Sequence, residues 1–226
     1  MVDRYRLLVV LGAGLGLRQG EALGLSAQDI DFEKEVVHVR RQVKMVRTKL
    51  CFALPKGRKV RDVPLPSSVA RAVLRHMELF PPVAVTMPWD DPIPPTTLVE
   101  AKHRRPRTYD LLVTGRERKA VNRNYFNSYV WKPALAKASV IAPLEESTTD
   151  GSRVWEPSRE HGFHALRHFY ASEELEAGES IVSLAQWLGH TDPGFTLKKY
   201  SHFLPRAGAR GSELIPTWLA GWIVVP

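Results

Sequence analysis

Residues 162–202, GFHALRHFYASEELEAGESIVSLAQWLGHTDPGFTLKKYSH, constrain this chain more than any other stretch. The spacing predicts a helix over residues 163–177, closed by Gly178 where a left-handed cap is usual. On that helix His164, Arg167 and His168 fall at i, i+3 and i+4, so one face carries two imidazoles and a guanidinium. Ser180 caps a short apolar helix, IVSLAQWL, which ends at Gly189 and delivers His190 into a loop. Tyr200 follows ten residues later, behind Lys198 and Lys199. A cationic, acid-poor cluster followed by a tyrosine points to phosphate chemistry with an aromatic hydroxyl as nucleophile.

HALRH, LGH and KKYSHF resemble the carboxy-terminal motifs of the tyrosine recombinase (phage integrase) family, whose pattern is H-x-x-R, then G-H, then a nucleophilic tyrosine. Upstream, GLRQGEAL resembles the family's first-arginine motif, with Arg18 as the arginine and Glu21 as its accompanying acid. PKGRKVRDVPLP resembles the hairpin that carries the family's lysine, which falls on Lys56. Five motifs in the right order, over roughly residues 5–203, make the likeness specific. The resemblance implies an α+β fold, mainly helical with a small antiparallel sheet near residues 36–65, the DNA breaking–rejoining catalytic domain. It would occupy residues 1–204, with 205–226 as a tail that the resemblance implies docks on a neighbouring protomer, packing on its own domain being the other reading. The family's amino-terminal core-binding domain is expected to be absent, because only 17 residues precede Arg18.

The same resemblance implies a site-specific recombinase that cleaves and rejoins double-stranded DNA through a 3′-phosphotyrosyl link, without metal or cofactor. Its partners would be recombination sites, three further copies in a tetramer, and an accessory directionality factor; its place would be the cytoplasm, at the nucleoid, with no membrane. The implied catalytic set is Arg18, Lys56, His164, Arg167, His190 and Tyr200. Residue chemistry agrees. A tyrosine hydroxyl has a pKa of about 10, so only about one in a thousand is ionised at neutral pH and attack needs a base or a cationic surrounding. Arg18 and Arg167 offer forked donors for two phosphate oxygens, where in-line attack adds charge. His190 adds a hydrogen bond, Lys56 is the candidate acid for the leaving 5′ oxygen, and His164 assists proton transfer at Tyr200. Glu21 orients Arg18 from behind. Arg58, Lys59, Lys198 and Lys199 are candidate DNA contacts. On residues alone, only metal-independent phosphodiester transesterification is supported; the recombination outcome comes from the resemblance.

A net charge of +8 over 226 residues favours a polyanionic partner, nucleic acid ahead of membrane. One cysteine, Cys51, fits a reducing compartment. No signal peptide is visible, and the apolar run 214–225 is shorter than the ~20 residues a spanning helix needs. Along the chain, residues 3–11 read as a buried helix. Gly12, Gly14 and Gly16 superficially resemble a dinucleotide loop but lack the third glycine of G-x-G-x-x-G; they are expected to form a turn that brings Arg18 to a phosphate. Residues 33–46 read as a strand, and 50–54 with 59–65 as a hairpin around Gly57, crowded by Lys56, Arg58, Lys59 and Arg61. Ser67 is expected to cap a helix with Val69, Val73, Leu74 and Met77 inward. The proline-rich 81–106 reads as a surface loop, 109–113 as a strand, and 122–139 as a helix with Phe126, Tyr129, Val130 and Leu135 inward. Residues 142–160 read as a loop.

Three other readings compete. A type IB topoisomerase-like enzyme would use the same cluster to nick and reseal one strand. A recombinase-derived DNA-binding module would lack catalysis, which the presence of all six groups disfavours. A hydrolase metal site at His161, His164 and His168 is disfavoured because H-x-x-x-H here lacks the adjacent glutamate and places Arg167 between the ligands.

Overall fold

A computed structural model describes residues 1–90, 93, 96–103, 105–147, 153–155 and 160–200. After a 3-10 turn (Asp3–Tyr5), α1 (Arg6–Leu15) buries Leu7, Leu8, Leu11 and Leu15. Gly12 and Gly14 lie inside this helix and form no turn. A Cβ on Gly12 would stand 2.8 Å from Leu166, and one on Gly14 2.6 Å from Val69, so both glycines admit close packing of other helices. Gly16 alone turns the chain: at φ 60° it caps α1 and sets Arg18 at the start of α2 (Gln19–Leu23).

A second 3-10 turn (Ala27–Asp29) leads to β1 (Ile30–Asp31). The strand expected over 33–46 is two, β2 (Val36–Val39) and β3 (Gln42–Val46), parted at Arg40 and Arg41. Arg41 gives the reason: buried, it donates to Asp29 Oδ1 at 2.8 Å and lies 3.7 Å from the centre of the Tyr109 ring, which turns the backbone inward. β4 (Lys49–Ala53) runs back along β3, and β5 (Arg61–Pro64) along β2, both antiparallel. Gln42 therefore faces Ala53 and Val39 faces Arg61, leaving residues 54–60 opposite only residues 40–41. The hairpin expected around Gly57 is thus corrected: β4 and β5 do not pair, and Lys56 rides on an excursion from a long bent ribbon. Gly57, at φ 78°, makes its tip, and Gln42 Nε2 donates to Leu54 O at 2.7 Å across its base.

α3 (Ser67–Leu79) starts after Pro66, with Ser67 as its first residue rather than its cap. Val69 and Val73 are buried, but Leu74 is exposed, and His76 takes the inward place with a ring nitrogen 3.0 Å from Leu112 O. The span 81–106 is more ordered than the loop expected: it holds β6 (Val83–Met87), the short β7 (Trp89–Asp90) parallel to β4, and α4 (Leu98–His103). β8 (Arg107–Leu111) pairs antiparallel with β6. Asn122 caps α5 (Arg123–Phe126), which runs through a π turn (Asn127–Trp131) into α6 (Lys132–Lys137). The extra residue of the π turn shifts the helical phase, so Phe126, Val130 and Trp131 are buried while Tyr129 is 65% exposed, against the inward position expected for it. Residues 142–160, read as a loop, contain an antiparallel pair, β9 (Pro143–Ser147) and β10 (Arg153–Trp155).

α7 (His164–Glu176), α8 (Ile181–Leu188) and α9 (Pro193–Tyr200) follow. The punctuation is as the sequence predicts: Gly178 at φ 90°, Ser180 Oγ accepting from Ser183 N at 3.0 Å, and Gly189 at φ 64°. A main core gathers around α1, the ribbon and α5. A smaller one, Tyr170, Ala171, Leu175, Leu184, Leu188 and Tyr200, joins the last three helices. The architecture is the expected mainly helical α+β fold with small, chiefly antiparallel sheets. The tail 205–226 lies outside the described residues. Among those described, no helix is long and apolar enough to cross a membrane.

Candidate active site

Arg18 sits just before α2 in extended conformation, where its backbone nitrogen donates to Glu21 Oε2 and its guanidinium to Glu21 Oε1, each at 2.9 Å. Glu21 is wholly buried, and Arg61 of β5 closes on it with two donors, at 3.0 Å to Oε1 and 2.7 Å to Oε2. Burial alone raises this carboxyl, but the hydrogen bonds and charge of Arg61, with Arg18 beside them, outweigh it and hold it at about 2. Arg61 Nε also donates to Trp187 O at 2.5 Å, tying the ribbon to α8. A side chain on Gly189 would stand 3.1 Å from Arg61 Cδ, so this glycine makes room for the guanidinium as well as capping the helix. Arg61, one of the four cations that the sequence crowds around Gly57, is the buried clamp on Glu21.

Arg167 is 1% exposed. It donates to Gly16 O at 2.8 Å, to Leu188 O, and to His190 Nε2 at 3.2 Å. Burial, with Arg18 nearby, lowers it to about 9, so it remains a cation at neutral pH. Because an arginine only donates, His190 accepts at Nε2 and carries its proton on Nδ1, 2.6 Å from Thr196 Oγ1. Burial and the charges of Arg167 and Arg18 bring His190 to about 4, consistent with that neutral tautomer. Thr196, fully buried on α9, had no signal in the sequence; its hydroxyl couples His190 to the helix bearing Tyr200.

Tyr200 is 4% exposed, its hydroxyl 2.6 Å from Nδ1 of His168. Burial raises the phenol and Arg167 opposes that rise. His168 is lowered by burial, Lys199 and Arg167, so the neutral imidazole accepts and Tyr200 donates. His164 packs edge-on against His168, ring centres 4.6 Å apart, and is exposed toward a cleft. Burial, then His168, then Arg167, pull it down to about 4.

That cleft, of about 820 Å³, is lined by Arg18, Lys44, Lys56, Arg123, Lys132 and His164. Among the described residues, none of its lining side chains is a carboxylate. Trp131 forms part of its wall, its indole nitrogen donating to His161 O at 2.8 Å. Lys56 lines this cleft from its exposed turn; Arg58 and Lys59 are exposed on the same turn, with Lys59 Nζ 3.4 Å from His190 O. Lys198 and Lys199 are exposed on α9, Lys199 over the Phe195 ring. Arg18, Arg167, His190 and Tyr200 thus come together in one network, with His164 beside it and Lys56 at the edge. Asp90 pairs with Lys44, and among the described residues no group of three or more His, Cys, Asp or Glu is placed to hold a metal ion.

No family model matches the chain. It is 28% identical over 222 residues to a tyrosine recombinase XerC-like protein of Caldanaerobacter subterraneus subsp. tengcongensis, covering 94% of this chain and 49% of that protein. A putative prophage phiRv2 integrase of Mycobacterium tuberculosis is 28% identical over 203 residues, covering 89% and 43%. Among solved structures, the Tn1549 transposon integrase in complex with a circular intermediate DNA superposes with TM-score 0.61 at 18% identity, over 93% of this chain and 57% of that one. The catalytic domain of bacteriophage HP1 integrase gives TM-score 0.51 at 18% identity, over 93% and 81%. The fold is therefore that of a tyrosine recombinase catalytic domain. The resemblance carried by HALRH, LGH and KKYSHF extends across nearly the whole chain. The chain spans about half the length of the curated relatives it matches.

Proposed function

We propose that this chain is the catalytic part of a site-specific DNA recombinase that cleaves and rejoins strands through a 3′-phosphotyrosyl link on Tyr200. The observation that carries this reading is the convergence of five motifs from both ends of the chain on one buried cluster: Arg18 on Glu21 and Arg61, Arg167 on His190, and the Tyr200 hydroxyl on His168 beside Arg167. A phosphodiester bound there meets guanidinium donors fixed by buried partners, which stabilise the charge that attack adds without reorganising. These cations supply what a divalent ion supplies in other phosphoryl-transfer sites, so the reaction is proposed to need no metal and no cofactor.

Lys56, on its glycine-tipped turn, would protonate the leaving 5′ oxygen. The cleft free of carboxylates would take the duplex, with Arg58, Lys59, Lys198 and Lys199 as flanking backbone contacts. Relatives named recombinase and integrase, and the neighbour solved with DNA, favour double-stranded DNA as the partner. Residues 1–204 would form the catalytic domain and 205–226 a segment bridging protomers of a tetramer, with a directionality factor as a further partner.

The test is a nicked suicide duplex, drawn from DNA flanking the gene, incubated with the protein in EDTA. An SDS-resistant protein–DNA adduct that vanishes in Tyr200→Phe is the expected result. Binding without any adduct, or an adduct that survives Tyr200→Phe, overturns the assignment.

A further inference from the structure

We propose, on the recombinase reading of Tyr200, that His168 rather than His164 takes the tyrosine's proton during attack. Two imidazoles one turn apart on α7 compete for this role. The sequence favours His164, because it stands in H-x-x-R; the geometry favours His168. Its Nδ1 lies 2.6 Å from the Tyr200 hydroxyl, within hydrogen-bond distance for direct transfer. His164 instead faces the cleft alongside Arg18 and Lys56, and meets His168 through ring contact.

Burial makes an internal acceptor necessary. Tyr200 is packed among Tyr170, Leu175, Leu184 and Leu188, so its proton has little direct access to bulk water. The charged and titratable groups around His168 are His164 and Arg167 on its own helix, and Lys199 and Tyr200 on α9. Burial first, then Lys199 and Arg167, lower it and favour the neutral imidazole, whose Nδ1 lone pair faces the hydroxyl. In the forward step the Tyr200 O–H bond breaks, its proton passes to Nδ1, and the freed electron pair forms the O–P bond. The P–O5′ bond breaks as Lys56 protonates the departing oxygen. On rejoining, the Lys56 amine takes the proton of the attacking 5′-hydroxyl as the P–O5′ bond forms, and the imidazolium returns its proton to Tyr200 as the O–P bond to the tyrosine breaks.

The experiment measures single-turnover adduct formation on the nicked duplex from pH 6 to 9.5. It compares wild type, His168→Asn, His164→Asn and Tyr200→Phe. Asparagine places a hydrogen-bonding amide near the Nδ1 position but accepts no proton, so it retains tethering and removes basicity. Expected is a loss of about 10²–10⁴-fold in His168→Asn at neutral pH. That variant should then recover about tenfold per pH unit, because the phenol must ionise unaided; a misfolded protein would show no such recovery. His164→Asn should lower the rate while keeping the wild-type profile. A His168→Asn rate and profile equal to wild type would overturn the inference and leave the recombinase reading standing. So would the steep pH dependence appearing in His164→Asn instead. Failure of wild type to form a Tyr200-dependent adduct would remove both.

Discussion

Removing the charge on Glu21 should make the stability of this fold less sensitive to acid. The carboxyl is wholly buried and is held at about 2 against an ordinary 4.5. A group whose folded pKa is depressed contributes stability that is fully present above its unfolded value and is lost as pH falls through its folded value. The window therefore runs from about pH 4.5 down to about 2, and the shift corresponds to about 3 kcal/mol. In urea unfolding, the gap between wild type and Glu21→Gln should be widest at pH 7 and shrink by about that amount on approaching pH 2. Arg61→Met leaves the carboxylate buried with Arg18 as its remaining guanidinium and should cost about 3–5 kcal/mol. Against a typical total of about 5–15 kcal/mol this is a large fraction. Arg61→Lys should recover only part, because an ammonium cannot hold both carboxylate oxygens and Trp187 O together. The double variant Glu21→Gln/Arg61→Met should be less destabilised than the sum of the singles. A gap that stays constant from pH 7 to 2, or strict additivity, would refute the clamp.

Two further outcomes follow from the geometry. Gly16→Ala combines a left-handed φ with a Cβ 2.4 Å from Tyr170 Cδ1, and should cost about 2–5 kcal/mol in thermal unfolding while loosening the carbonyl that holds Arg167. Lys132→Ala and Arg123→Ala, both on the cleft wall, should each lower the salt dependence of DNA binding by about one counterion, without altering which sequence is preferred.

The residues most legible from sequence were those whose spacing is local. His164, Arg167 and His168 share a helix face because 3.6 residues make a turn, and Gly178, Ser180 and Gly189 announce the ends of their helices. Several of the misreadings lie where a distant partner decides. Arg61 and Lys59 look alike in KGRKVRD, yet one reaches a buried carboxylate forty residues earlier and the other stays at the rim. The break at Arg41 comes from Asp29 and the Tyr109 ring, neither of which lies in the strand. Leu74 lost its inward place to His76 because the carbonyl of Leu112 was there to receive an imidazole. Nothing in NSYVW signals the π turn that swings Tyr129 outward and Trp131 inward.

The choice between His164 and His168 belongs to the same class. Periodicity places both on one face of α7, but the direction from which Tyr200 arrives decides which of them touches it. That direction is set by α9, which Thr196 ties to His190 and which Leu184 and Leu188 hold against α8. His190 is in turn held by Arg167, one residue before His168 on the same helix. Tyr200 is therefore positioned by a closed circuit, from α7 through His190 and Thr196 to α9 and back through the Tyr200 hydroxyl to His168. A circuit of this kind puts His168, the proposed proton acceptor, next to Arg167 on one helix, so on the proposed reading a displacement of α9 alters attack geometry and proton transfer together.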